Sequence, residues 1–178
     1  EKNIDILYIS STAANKSSTS IYGRSKYYAE QIVSNSNGII IIPGLIFGDS
    51  IKVGLIPKIK KISKFSILIP YISNFRTFYY ITEIEYLLAT IEKIMLYENS
   101  GKFLCAYEKC LNFRSLISLF SIKKFHFKIP IPYYILEIII KIFIKLNLIS
   151  KRYLESFYNL KIQRNLDGVN KTYLSKKI

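Results

Sequence analysis

Two short apolar runs, Ile4-Asp5-Ile6-Leu7-Tyr8-Ile9 and Ile39-Ile40-Ile41-Ile42, constrain this chain more than anything else in it. A brief, continuous apolar run reads as a strand covered on both faces, which is the signature of a parallel sheet and not of a half-exposed antiparallel one. Between the runs lies a polar, small-residue loop from Ser10 to Ser20, then apolar residues at helical spacing (Ile21, Tyr28, Ile32). Ser20 is placed to cap that helix, and Ser34 to Gly38 ends it. Strand, loop, helix and strand, closed by Pro43-Gly44, form a parallel βαβ order, so the expected fold class is α/β. Few chains begin inside a core strand. Because this one starts at Glu1 and runs straight into its first apolar run, an N-terminal truncation is expected.

At 178 residues the chain is one compact domain or a piece of a larger protein. Half of its residues are hydrophobic, which excludes disorder and requires a buried core. Two cysteines, Cys105 and Cys110, and a single histidine, His126, exclude a disulfide scaffold and a four-ligand zinc site, so no structural metal is expected. The net charge of +14 comes from 21 Lys and only 5 Arg, alongside 34 Ile and 11 Asn. Lys, Ile and Asn share A/T-rich codons, and no Arg cluster with stacking aromatics appears, which points away from specific nucleic-acid recognition. Attraction to an anionic membrane surface or an acidic ligand stays open.

Further along, the pattern predicts a helix from Leu55 to Ser63, and short strands over Phe65–Pro70 and Arg76–Ile81 around an Ile72-Ser73-Asn74 loop. Thr82 with Glu85 reads as a capping box before a helix that ends near Glu98, where Asn99-Ser100-Gly101 stops it. A strand over Phe103–Tyr107 and a helix over Asn112–Phe120 follow. Pro130 and Pro132 precede a long apolar helix, Tyr133 to Leu148, and a polar, partly helical tail begins at Lys151. Glu137, Lys141 and Lys145 stack on one narrow face of the apolar helix. A charge at the bilayer centre costs about 3 kcal/mol, so three of them disfavour a membrane span. Packing on a core is the expected role, and lying flat on a membrane is the alternative.

The chemistry concentrates in Tyr22-Gly23-Arg24-Ser25-Lys26, followed by Tyr27-Tyr28-Ala29-Glu30. Four residues apart on a helix, Tyr22 and Lys26 share a face. A phenol is a poor base at neutral pH, and a cation held beside it favours the phenolate and draws it toward the working range. Ser10, Ser11 and Thr12 lie just upstream, at the C-terminal end of a strand, where α/β folds place their ligands. A hydroxyl there is placed to hold a substrate oxygen.

This order, apolar strand, Ser-Ser-Thr, Tyr-Gly-Arg-Ser-Lys with Ala29-Glu30, apolar strand, then Pro43-Gly44-Leu45-Ile46-Phe47-Gly48, resembles the extended branch of the short-chain dehydrogenase/reductase superfamily. That branch is the NAD-dependent epimerase/dehydratase family, acting largely on nucleotide sugars. Arg76-Thr77-Phe78-Tyr79-Tyr80-Ile81-Thr82-Glu83-Ile84 looks like its Arg-bearing strand before a helix, and the resemblance covers residues 4 to about 120 well. It implies Tyr22 as catalytic acid/base, and Lys26 as its tuner and a ligand of the nicotinamide ribose. It implies Thr12, or by a one-residue slip Ser11, as the hydroxyl partner. Pro43 and Gly44 match the turn along the nicotinamide, with NAD or NADP as cofactor, and Arg76 matches the arginine that grips the substrate diphosphate. The implied fold is the C-terminal part of a Rossmann-type parallel sheet over residues 1–50, followed over 51–178 by a small α+β substrate domain.

Departures from that pattern bear on substrate and cofactor. None of the 7 glycines forms the Gly-x-x-Gly-x-x-Gly fingerprint, Ile42 stands where relatives often have Arg, and Leu45 where many have Asn. The short link from Thr12 to Tyr22 suits a subgroup associated with surface-polysaccharide synthesis. The expected function is an NAD(P)-dependent epimerase, dehydratase or reductase on a nucleotide-linked sugar, cytoplasmic or membrane-peripheral, with a homodimer or a peripheral membrane contact left open. The alternative is a non-catalytic remnant serving as a membrane-surface or subunit-interface module. Elsewhere, Cys105 and Cys110 read as small packing residues, His126 as a packing residue, Lys58-Ile59-Lys60-Lys61 as a solvated face, and Glu83 and Glu85 as capping groups.

Overall fold

The computed structural model describes residues 6–65, 68–73, 77–98, 100–122, 127–159, 166 and 169–174. Ile4, Asp5, Ser66, Ile67, Asn74, Arg76, Asn99 and His126, on which sequence expectations fell, lie outside the described residues. In chain order the elements are β1 (Leu7–Ile9), α1 (Ile21–Asn35), β2 (Ile39–Pro43), β3 (Leu45–Phe47), α2 (Leu55–Phe65), β4 (Leu68–Ser73), β5 (Phe78–Tyr79) and β6 (Ile81–Glu83). There follow α3 (Ile84–Tyr97), β7 (Gly101–Tyr107), β8 (Leu111–Asn112), α4 (Phe113–Phe120), β9 (Phe127–Pro132), α5 (Tyr133–Lys145), α6 (Arg152–Asn159) and β10 (Asn170–Leu174).

The expected α/β class holds. A four-stranded parallel sheet runs in the order β1-β2-β7-β10, with Leu7 beside Ile39, Ile41 beside Phe103 and Cys105 beside Thr172. Every residue of β2 is buried, and the two faces of the strand are packed by different elements. Ile39 and Ile41 join Leu87 and Ile94 of α3 with Phe103 and Cys105, whereas Ile40 and Ile42 join Val33 of α1 with Leu104 and Ala106. Alternation of side chains across a strand, with a helix on each face, is why four consecutive isoleucines suit this position.

α1 is closed as the sequence predicts. Ser20 adopts extended backbone and accepts from the Gly23 N–H at 3.3 Å. At the other end Asn37 takes φ 53°, and the Gly38 N–H returns to the Val33 carbonyl at 2.9 Å. The crossover therefore delivers the C-terminal ends of β1 and β2 to the same edge of the sheet.

Beside this sheet, among the described residues, three two-stranded sheets pair β3 with β6 and β4 with β9 in parallel, and β5 with β8 antiparallel. They share a core of Ile56, Ile59, Ile69, Ile81, Leu116, Ile117 and Phe120, into which Tyr107 at the end of β7 also packs.

Several local expectations are corrected. Phe65 closes α2, and the strand there starts at Leu68 and runs through Ile72 and Ser73, which had been expected in a loop. Pro130 and Pro132 precede α5 as expected, and they also lie within β9, a strand paired among the described residues with β4 alone, where a missing N–H is tolerated. α5 stops at Lys145, because Asn147 turns to φ 57° and the Leu148 N–H reaches back to the Phe143 carbonyl. Thr82 and Glu85 make no capping box: the cap position is Glu83, without a side-chain bond to the helix. The tail is helical in part as expected, in α6, and adds an edge strand, β10, while none of α5 is buried, so it does not pack into a core as expected.

Candidate functional site

The loop after β1 is tied down by its own side chains. The Ser11 hydroxyl accepts from the Ala13 N–H at 3.1 Å, and the Asn15 side chain accepts from the Ser17 N–H at 2.9 Å. The Arg24 guanidinium donates to the Ser18 carbonyl at 2.7 Å, holding the loop against the first turns of α1. Gly23 is the residue that permits this approach, since a Cβ there would collide with the Ser18 side chain and the Ala13 carbonyl.

Tyr22 and Lys26 rise from α1 on one face, as the spacing predicts. The Lys26 ammonium donates to the Ile9 carbonyl, at the C-terminal end of β1, at 2.8 Å. It sits 4.8 Å from the centre of the Tyr8 ring and 5.9 Å from that of Tyr22, so the cation is held against two aromatic faces. Tyr22 itself is exposed at the mouth of this arrangement.

The three hydroxyls of Ser10-Ser11-Thr12 take separate assignments. Ser10 is buried and donates to Glu30, a carboxylate only 1% exposed. Ser11 is engaged in the turn, and Thr12 is half-buried with no hydrogen bond to its hydroxyl among the described residues. Glu30 was part of the sequence pattern, but its service to Ser10 was not foreseen.

On the neighbouring strand, Pro43 is buried opposite Cys105, and the chain turns at Gly44. The Gly44 N–H donates to the Thr82 hydroxyl at 2.8 Å, and that hydroxyl donates to the Cys105 carbonyl at 2.6 Å. A Cβ on Gly44 would strike the Tyr80 backbone, so only glycine lets β2 turn here toward β3. Thr82, fully buried, thus fixes the turn from 38 residues away. Next to it, the Tyr107 hydroxyl donates to Glu83 at 2.8 Å, and burial, then the bond and charge of Glu83, push its pKa up to about 12. Glu83 is therefore a hydrogen-bond acceptor for a tyrosine rather than a capping group.

A cleft of about 360 Å³ opens between β3 and α2, with Phe47 and Ile56 on its apolar side and Asp49, Lys52, Lys60 and Lys61 on its polar side. Lys60 and Lys61 were expected on a solvated face. Their proximity to Lys52 depends on how α2 packs on β3, which helix periodicity does not show. Cys105 is fully buried and Cys110 half-buried, and both are free thiols. Among the described residues no cluster of His, Cys, Asp or Glu could hold a metal ion, and no helix is long and apolar enough to cross a membrane.

No known family's sequence profile matches the chain, and no curated protein matches it. Solved structures do. ADP-L-glycero-D-manno-heptose-6-epimerase of Helicobacter pylori superposes with a TM-score of 0.58 at 14% identity, over 72% of this chain and 48% of its own. dTDP-4-dehydrorhamnose reductase of Bacillus anthracis, in complex with NADP, gives 0.56 at 18% identity, over 72% and 51%. dTDP-glucose 4,6-dehydratase of the same organism, in complex with NAD, gives 0.54 at 13%, over 72% and 50%. Over the matched residues the chain has the fold of part of these enzymes. It spans about half the length of the solved structures it matches.

Proposed function

We propose that this chain carries the substrate-side half of an NAD- or NADP-dependent enzyme that oxidises and reduces a sugar carbon on a nucleotide-linked sugar, as an epimerase, dehydratase or reductase. One observation carries the reading: Lys26, bonded to the end of β1, stands beside the Tyr22 ring where α1 meets the C-terminal edge of a parallel sheet. Such edges are where open α/β sheets bind ligands. The similarity of fold to sugar-nucleotide enzymes supports it.

The residues present fit the nicotinamide end of a dinucleotide. Tyr22 and Lys26, on α1 with Lys26 bonded to the C-terminal end of β1, and the Pro43-Gly44 turn at the C-terminal end of the adjacent β2, held by Thr82, lie at one edge of the sheet. When bound, the nicotinamide supplies the position that takes and returns hydride. The chain's own groups do the rest. The Tyr22 hydroxyl moves the proton at the sugar hydroxyl, Lys26 holds the ribose and keeps a positive charge beside Tyr22, and Thr12, with Ser11 as its neighbour, binds the substrate oxygen. Arg76 binds the diphosphate, and the lysines of the cleft, whose positive charge outweighs that of the single Asp49 beside them, offer a further place for an anionic group of the substrate. In this reading residues 1–50 complete the dinucleotide-binding domain and residues 51–178 mainly bind substrate.

The test is Tyr22→Phe in the protein that carries this chain. Turnover, followed by nicotinamide absorbance with nucleotide-sugar substrates, should fall by about 10²–10⁴ while cofactor affinity is kept. Lys26→Ala should lower both. Wild-type turnover in Tyr22→Phe would overturn the assignment.

A further inference from the structure

α5 has no buried residue, although ten of its thirteen are Ile, Leu, Phe or Tyr. Its inner side faces α6 and β9: Tyr133, Leu136, Ile140 and Ile144 are half-buried, and the Tyr133 ring stacks on Phe157 at 4.5 Å. The carboxylate of Glu137 is also engaged there, accepting from Tyr158 at 3.0 Å and pairing with Lys141 at 2.7 Å. The outer side is apolar and open. Ile135, Ile138, Ile139, Ile142, Phe143 and Leu146 are each between 37% and 61% exposed. At 3.6 residues per turn they form one continuous arc, with exposed Lys141 and Lys145 along a single margin.

Charge selects the occupant of this face. Residues 121–178 contain twelve Lys and Arg against three Asp and Glu, so this third of the sequence carries nine of the net fourteen positive charges. The only acid on α5 is paired with Lys141, which offsets that lysine and leaves Lys145 as the net positive charge on the exposed rim of the patch. A second copy of the chain would bring like charge to like charge. An anionic lipid surface would bring the opposite, and it would accept the apolar arc as well. We propose that the outer face of α5 lies flat in the surface of an anionic bilayer. The isoleucines and Phe143 enter the acyl boundary, and Lys145 extends to the headgroups. This does not depend on the catalytic reading above, since it uses none of the same residues.

Flotation on a density gradient tests it, because vesicle-bound protein rises while self-associated protein sinks. The protein that carries this chain should float with phosphatidylcholine vesicles containing one-quarter phosphatidylglycerol, and at least about tenfold less with phosphatidylcholine alone. Ile138→Gln with Ile142→Gln should cut flotation about tenfold. Lys145→Gln should cut it about fivefold, the difference vanishing at high salt. These side chains are exposed, so circular dichroism and thermal melting should match the wild type and confirm that the variants fold. Equal flotation with neutral vesicles, or flotation untouched by the isoleucine pair, would overturn the proposal. So would no flotation together with self-association that requires the same isoleucines, which would assign the face to a second copy.

Discussion

Ile39–Ile42 in β2 and Ile138–Ile140 in α5 are runs of one residue type, and they end in opposite surroundings. In β2 the isoleucines are between 0 and 6% exposed, with strands on both edges and helices on both faces. In α5 Ile138 and Ile139 are 54% and 37% exposed, and only one side of the helix meets the protein. Burial is thus not a property of the run. A strand in mid-sheet has four directions of cover, whereas α5 is a helix laid on the margin of a small two-stranded sheet and one further helix. A hydrophobic sequence states a demand for cover, and the neighbours decide whether the chain itself meets it.

The comparison is broken most directly by charge. Ile41→Lys places an ammonium between α3 and β7 with no partner, at a cost of several kcal/mol, and should leave no folded protein by circular dichroism. Ile142→Lys, at an exposed site, should melt as the wild type does. Equal losses at the two sites would mean that α5 is covered. A gentler version trims volume: Ile40→Ala should cost about 2–5 kcal/mol in urea unfolding, and Ile138→Ala under about 0.5 kcal/mol.

Thr82→Val sharpens what holds the functional edge of the buried sheet. It strips the Gly44 N–H and the Cys105 carbonyl of a shared partner and should cost about 1–3 kcal/mol, with no counterpart in α5. Under the proposed function it should also weaken cofactor binding, because the Pro43-Gly44 turn loses its anchor.

The smallest effect is one in which the two regions should behave alike. Tyr107, at the end of β7, and Tyr133, at the start of α5, are both held up to about 12, by burial first and then by Glu83 and Glu137 respectively. An unfolded tyrosine titrates near pH 10. The folded state therefore binds these protons more tightly, and the stability they confer is whole below pH 10 and lost as the pH rises toward 12. Urea midpoints should be flat in this respect up to pH 10 and fall above it, and Tyr107→Phe should soften the fall. An unchanged alkaline limb in Tyr107→Phe would show that its hydroxyl is not held as described.

Local interactions account for what could be read without coordinates. The caps of α1, the extent of β2, the βαβ order and the shared face of Tyr22 and Lys26 are set within a few residues of each other by hydrogen bonding and periodicity. Where a residue's partner is distant, local pattern does not predict its role. Thr82 has the composition of a cap, yet its hydroxyl is claimed by Gly44 and Cys105. Asn170–Leu174 opens on three polar residues in a row, like a loose tail, and becomes a strand because β7 offers it an open edge.

By itself, then, the sequence determined that a parallel α/β sheet forms and that a tyrosine and a lysine meet on one helix face, because both follow from forces acting within a turn or a strand. The tertiary structure alone decided that Thr82 anchors the Gly44 turn, that Lys52, Lys60 and Lys61 line one cleft, and that α5 is left uncovered. Each of these depends on segments brought together across many residues. Such contacts are fixed only when the whole chain has distributed its apolar surface among the neighbours it has.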